Sequence, residues 1–137
     1  MQKTLNDSTV ILGKRTPRLT DPSESQEQQQ LVSWTDFMQH KYPELNLLYH
    51  IPNGGKRSKS EAARFKAEGV KSGVPDLCLP VARGGYHGLY IEMKTESGHT
   101  SDEQEWWGER LQAQGYVWRV CHGWQAAVAV LEWYLQL

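Results

Sequence analysis

Long apolar runs are missing from this sequence. None approaches the roughly 18 residues that a membrane-spanning helix requires, so no membrane association is expected. The first 20 residues also lack the apolar stretch of about 7–15 residues found in a secretory signal, and the expected location is the cytoplasm. Cysteine is scarce: Cys78 and Cys121 stand far apart in apolar surroundings. That excludes a disulfide framework and, without CxxC spacing, a zinc ribbon, so both read as packed small hydrophobes. Internal repeats are absent, and the one biased tract is a short glutamine-rich run, Gln26 to Gln30. An excess of either charge is lacking too, the formal net charge being −1, but that total conceals a pattern.

The 137 residues, 39% hydrophobic and 23% charged, suit one globular domain, since two separate cores would each be too small. Six tryptophans and six tyrosines give that domain bulk for a core. Charge is distributed in blocks. Lys56, Arg57, Lys59, Arg64, Lys66 and Lys71 face only Glu61 and Glu68, whereas five acids face Lys41 alone between residues 21 and 50. From residue 72 onward eight acids face four bases. A basic block beside acidic stretches is what a phosphate-binding surface near a divalent-cation site would show, although a solvated helix with charged faces gives the same count.

Residues 1–20 have no period and read as a mobile tail, leaving 21–137 as the folded domain. Asp21 and Pro22 read as N-cap and first position of a helix whose buried stripe is Leu31, Trp34, Phe37 and Met38 and which stops near Pro43. Leu45 to Ile51 reads as a strand closed by the turn Pro52-Asn53-Gly54-Gly55. Ser58 or Ser60 caps a basic helix that Gly69 ends. Two strands follow, Asp76 to Val81 and Gly88 to Lys94, joined by Arg83-Gly84-Gly85-Tyr86-His87 as an antiparallel hairpin. Thr100 or Ser101 opens a capping box for a helix ending at Gly115, Tyr116 to Cys121 is a strand, and Trp124, Ala127, Val128, Leu131 and Leu135 form the core stripe of a last helix. The order is α-β-α-β-β-α-β-α.

Chemistry concentrates at Pro75-Asp76 and Glu92-Met93-Lys94. Strand alternation puts Glu92 and Lys94 on one face and Ile91 and Met93 on the other, and the hairpin brings Asp76 beside Glu92. Two carboxylates at that spacing repel each other, and Mg²⁺ or Mn²⁺ relieves the repulsion with the hard oxygen ligands it prefers, the Met93 backbone carbonyl being a further ligand. An ion held this way can polarise a phosphoryl oxygen, and Lys94 can orient a water or stabilise charge at phosphorus. The plain alternative is a hairpin with a polar face and a cross-strand ion pair.

Several blocks resemble the VRR-NUC branch of the PD-(D/E)xK nucleases. They are His50-Ile51-Pro52-Asn53-Gly54-Gly55-Lys56-Arg57, Gly69-Val70-Lys71-Ser72-Gly73-Val74-Pro75-Asp76-Leu77, Gly88-Leu89-Tyr90-Ile91-Glu92-Met93-Lys94, Ser101-Asp102-Glu103-Gln104 and Gln114-Gly115-Tyr116. The resemblance implies an α/β fold with a small mixed sheet flanked by helices, a restriction-endonuclease-like core. It also implies that Asp76 and Glu92 hold the metal, that Lys94 is catalytic, and that Gln104 lies near the site. The family's first-helix E-x-x-x-Q pair fits Glu24 and Gln28, with Glu27 a near neighbour. Stand-alone members are similar to junction-resolving homodimers, which implies a Mg²⁺- or Mn²⁺-dependent endonuclease acting on branched DNA: a four-way junction, flap or fork. A catalytically silent nucleic-acid-binding module and a restriction-type endonuclease are the alternatives.

Asn53, Lys56 and Arg57 sit on a glycine-rich turn suited to phosphate contact, and Lys59 and Lys71 extend that DNA-binding set. Gly54-Gly55-Lys56-Arg57-Ser58 is not a Walker loop, because the pattern needs glycine where His50 stands. His50 either faces the site or ends a strand. His87, His99 and His122 lack ligand spacing and read as surface residues. Trp106 and Trp107 read as core or interface rather than as base-stacking groups.

Overall fold

A computed structural model of the chain describes residues 20–52 and 57–137. The elements are α1 (Glu24–Met38), a 3₁₀ turn (Pro43–Leu47), β1 (Tyr49–His50), α2 (Lys59–Ala67), β2 (Leu77–Leu79), β3 (Leu89–Lys94), α3 (Asp102–Ala113), β4 (Val117–His122) and α4 (Trp124–Leu135). Apart from the 3₁₀ turn, this is the order the sequence predicts. The strands form one sheet in the order β1-β2-β3-β4, antiparallel up to β3 and parallel between β3 and β4. A parallel neighbour requires a crossover, and α3 supplies it.

One sheet face is apolar. Leu77, Leu79, Leu89, Ile91 and Met93 are fully buried against Leu31 of α1 and Ala127, Leu131 and Tyr134 of α4. The other face of β4 meets α3, where Gly108 lies so close to Trp118 that a Cβ there would overlap the indole. Local chemistry fixes the helix starts. Ser23 with Gln26 and Ser101 with Gln104 each form a reciprocal capping box, which satisfies two otherwise orphaned amides per helix. Ser58, rather than Ser60, caps α2, and Gly69 follows it at φ +95°.

Four expectations change. First, α1 begins two residues later than Asp21-Pro22 suggests, because the Ser23 box satisfies more backbone amides than an aspartate cap would. Second, Phe37 is 75% exposed, while Thr35 is buried. Counting from Leu31, positions 34, 35 and 38 share a helix face, and position 37 falls well off that stripe. Third, of the strand predicted over 45–51 only Tyr49 and His50 reach β2, while its first three residues belong to a 3₁₀ turn that Pro43 opens. Fourth, β2 stops at Leu79, since Pro80 has no amide for the ladder. The tail reading for 1–20 and the turn at 52–55 fall outside the described residues, except at Thr20 and Pro52.

The contact between Gly108 and Trp118 gives a test. Gly108→Ala should lower the stability measured by urea unfolding by about 1–3 kcal/mol through overpacking. In an open helix the same change would add roughly 1 kcal/mol, so the sign of the shift decides whether the close approach holds in solution.

Candidate active site on the open sheet face

The pairing Leu77↔Ile91 sets Asp76 directly across from Glu92. Asp76 Oδ2 accepts a 2.7 Å hydrogen bond from the Met93 amide. By the same register, Met93 would pair with position 75, where proline has no N–H to offer, so the Met93 carbonyl receives no ladder bond from that residue. A strand residue's N–H and C=O point to the same edge, so this carbonyl faces the Asp76 side. The predicted backbone ligand is thus directed toward the two carboxylates.

Glu92 is 2% exposed. Its Oε1 accepts from Gln104 Nε2 at 2.9 Å and lies 3.8 Å from Lys94 Nζ. Its Oε2 is buried without a hydrogen-bond partner. Burial first, then the charge and hydrogen bonding of Asp76, push the Glu92 carboxyl up to about 8, with Lys94 pulling the other way. The two carboxyl groups are close enough to share a proton; when both are ionised neither can donate to the other, which leaves Oε2 without a partner. Lys94, also buried, is 3.6 Å from Glu24 Oε1 in the first turn of α1. Two carboxylates thus flank one ammonium.

Gln104 serves two structures at once. Its Oε1 accepts the Ser101 amide at 2.8 Å as half of the α3 capping box, and its Nε2 holds Glu92. The predicted choice between Glu24 and Glu27 also resolves. Glu24 reaches Lys94, whereas Glu27 Oε2 accepts the Trp124 amide at 2.7 Å. That bond caps α4, whose own N-cap position is Gly123 and offers no side chain.

The basic residues are arranged differently from the acids. Arg57 lies over the Phe65 ring at 4.2 Å. Lys59 opens α2, a helix with no buried residue, and Lys71 is exposed. None of these three bonds with the carboxylates; Asn53 and Lys56 lie outside the described residues. His50 Nδ1 is 2.8 Å from the Asp76 carbonyl. A carbonyl only accepts, so Nδ1 carries the hydrogen and Nε2 the lone pair. His122 makes the same kind of bond to Thr95, and His87 packs on Tyr116. Trp106 is half exposed under the Arg110 guanidinium, and Trp107 Nε1 donates to the Ser72 carbonyl.

Sequence reasoning missed the tie between the loop before Asp76 and α3. The Ser72 hydroxyl donates to Glu103, and Gly73, at φ +85°, sits where a Cβ would come within 2.8 Å of the Glu103 backbone. The loop that delivers Asp76 is therefore fixed to the helical turn that delivers Gln104. The glycine in Lys71-Ser72-Gly73 was the available signal, but a positive φ cannot be told from an ordinary loop glycine without its neighbour.

These groups suit a hard divalent cation: two carboxylates, a backbone carbonyl and a buried oxygen in need of positive charge. Among the described residues no three Asp, Glu, His or Cys side chains cluster in a metal-holding group.

Comparison with known proteins agrees with the fold. The model of the VRR-NUC domain matches residues 18–125. A solved structure described as a "VRR_NUC domain protein" is 31% identical and superposes with a TM-score of 0.73, covering 85% of this chain and 91% of that one. No curated protein matches the chain.

The raised Glu92 value predicts a pH effect on stability. An acid whose folded pKa exceeds its unfolded value stabilises the fold below the unfolded pKa and loses that contribution as pH rises through the folded one. In the presence of a chelator, the urea midpoint should fall as pH rises from 4.5 to about 8. Glu92→Gln should flatten that fall; an unchanged slope in the variant would show that another group is responsible.

Proposed function

Because the chain belongs to the VRR-NUC family, whose domain is of nuclease type, we propose that it is a divalent-metal-dependent DNA endonuclease. The observation that carries this reading is the Glu92 carboxylate, which is buried beside a second carboxylate with one oxygen unpartnered. A purely structural ion pair gains nothing from an excess of negative charge in a dry site. A site that takes up a cation does.

Asp76, Glu92 and the Met93 carbonyl hold the ion, Mg²⁺ or Mn²⁺, which when bound supplies Lewis-acid polarisation of a phosphoryl oxygen and acidifies water. The protein's own groups do the rest. Lys94 is set between Glu92 and Glu24, so its ammonium has a fixed position from which to orient the attacking water and stabilise charge on the phosphoryl oxygens. Gln104 holds Glu92 through one oxygen and leaves the other for the cation. Glu24 is a positioning residue for Lys94. The partly buried Arg57 and the exposed Lys59 and Lys71, with Asn53 and Lys56, supply the phosphate contacts that hold the substrate and make its binding salt-dependent.

The substrate class we propose is branched DNA: a four-way junction, flap or fork. One chain offers one site, and cutting two opposed strands of a junction needs two, related by a two-fold axis. The working form is accordingly a homodimer, and light scattering should give twice the 15.7 kDa chain mass. A monomer at micromolar concentration would remove the junction-resolving part of the proposal.

A cleavage screen with Mg²⁺ or Mn²⁺ over junctions, forks, flaps and linear duplex tests the activity. Cleavage of branched DNA is expected, and Asp76→Asn should reduce it by at least about a hundredfold while retaining DNA binding. Lys94→Ala should lower kcat by about a hundredfold with a smaller change in KM, in a variant checked for folding by thermal melting. No cleavage of any substrate with either ion would overturn the reading. Discrete bands from random-sequence duplex would favour a restriction-type enzyme instead.

A further inference from the structure

The sheet face that carries Asp76 and Glu92 also carries aromatic rings that the nuclease chemistry leaves unused. Strand pairing aligns Tyr49 with Cys78, Cys78 with Tyr90, and Tyr90 with Trp118. These four side chains cross the sheet as one row on the face opposite the apolar core. Tyr116, beside Gly88, extends the strip, its ring 5.3 Å from that of Tyr90. A Cβ on Gly88 would come within 3.3 Å of the Tyr116 ring, so glycine makes room for it.

The carboxylates occupy the adjacent row of the same face. Asp76 lies two residues before Cys78 and Glu92 two residues after Tyr90, a spacing of about 7 Å at the usual strand rise. Successive phosphates of one DNA strand advance about 3.4 Å along the duplex axis. The aromatic row therefore stands one or two nucleotides from a phosphate held at the carboxylates.

Cys78, between the two tyrosines, is buried, whereas Tyr49 is 50% exposed. α3 covers the Trp118 end of the row, and the Tyr49 end faces solvent. A tyrosine has only two side-chain torsions, so it loses little rotamer freedom on binding a second ring.

We propose that Tyr49 and Tyr90 form a stacking platform for unpaired bases of the DNA strand flanking the scissile phosphate. The proposal rests on the nuclease reading and gives it a source of substrate preference. Bases inside a duplex have their faces occupied by neighbours, whereas unpaired bases at a branch can splay onto an aromatic surface. Every base has a π-face, so such a platform selects for DNA structure and tolerates any sequence.

The test measures binding separately from cleavage. In chelator, fluorescence anisotropy compares a forked oligonucleotide with a fully paired duplex of equal length. Tyr49→Ala should weaken binding to the fork by about fivefold or more and leave duplex binding within about twofold. Tyr49→Trp should restore fork binding. Unchanged fork affinity in Tyr49→Ala, or an equal loss on both DNAs, overturns the platform. So does a change in the solution mass of Tyr49→Ala with DNA binding intact, which would assign the face to a second copy of the chain. Cleavage by the unaltered protein is followed in parallel. If it cleaves and Tyr49→Ala binds forks normally, the platform alone fails. If it neither binds nor cleaves any DNA, the nuclease reading fails and takes the platform with it.

Discussion

Where β3 leaves the sheet, the buried carboxylate of Glu92 stands beside that of Asp76 and beside the buried Lys94 ammonium, which Glu24 reaches from α1. In a low-dielectric setting a carboxylate without a partner is costly, and the protein can lower that cost in only two ways: by keeping a proton on Glu92 or by admitting a cation. The raised affinity of Glu92 for a proton and the proposed affinity of the site for a metal are two expressions of the same imbalance. A fully neutralised cluster would be more stable and would have no use for an ion.

That imbalance persists only because the surrounding backbone does not let the carboxylates move apart. Pro75 has no amide for the ladder, and the Asp76 side chain is held on the Met93 amide. Gln104 is committed to its helix cap, so the Glu92 carboxylate it holds inherits the rigidity of α3. Ser72 and Gly73 fasten the loop of Asp76 to the same turn. Each tie is a backbone or capping interaction that the fold needs anyway, so positioning the charges adds little ordering beyond that of the elements themselves.

This explains what could be read from the sequence and what could not. The Asp76-Glu92-Lys94 convergence was legible because strand alternation and a hairpin are short-range rules, and the structure keeps both. The capping box of α3 was legible, whereas that of α1 was missed, because Asp21-Pro22 offered a competing start that only the reciprocal Ser23–Gln26 bonds exclude. Assigning Glu24 to Lys94 and Glu27 to α4 was out of reach, since the partners lie 70 and 97 positions away and either acid fits the helix pattern. The strand predicted over 45–51 failed for a related reason: Leu45 is buried by packing, and burial alone does not distinguish a 3₁₀ turn from a strand.

The division of the sheet into two faces links these observations. Alternation along β3 sends Leu89, Ile91 and Met93 into the core and leaves Tyr90, Glu92 and Lys94 on the other side. A slip of one residue in register would bury both charges in the core and expose three large hydrophobics, so the apolar packing enforces the position of the reactive groups. The core thus specifies more than stability. Leu77 paired with Ile91 is an ordinary hydrophobic contact, and the same pairing is what places Asp76 opposite Glu92 and Tyr49 in line with Tyr90. Any substrate that approaches this face meets charge and aromatic surface in a fixed order along the strands, and that order is set from the buried side.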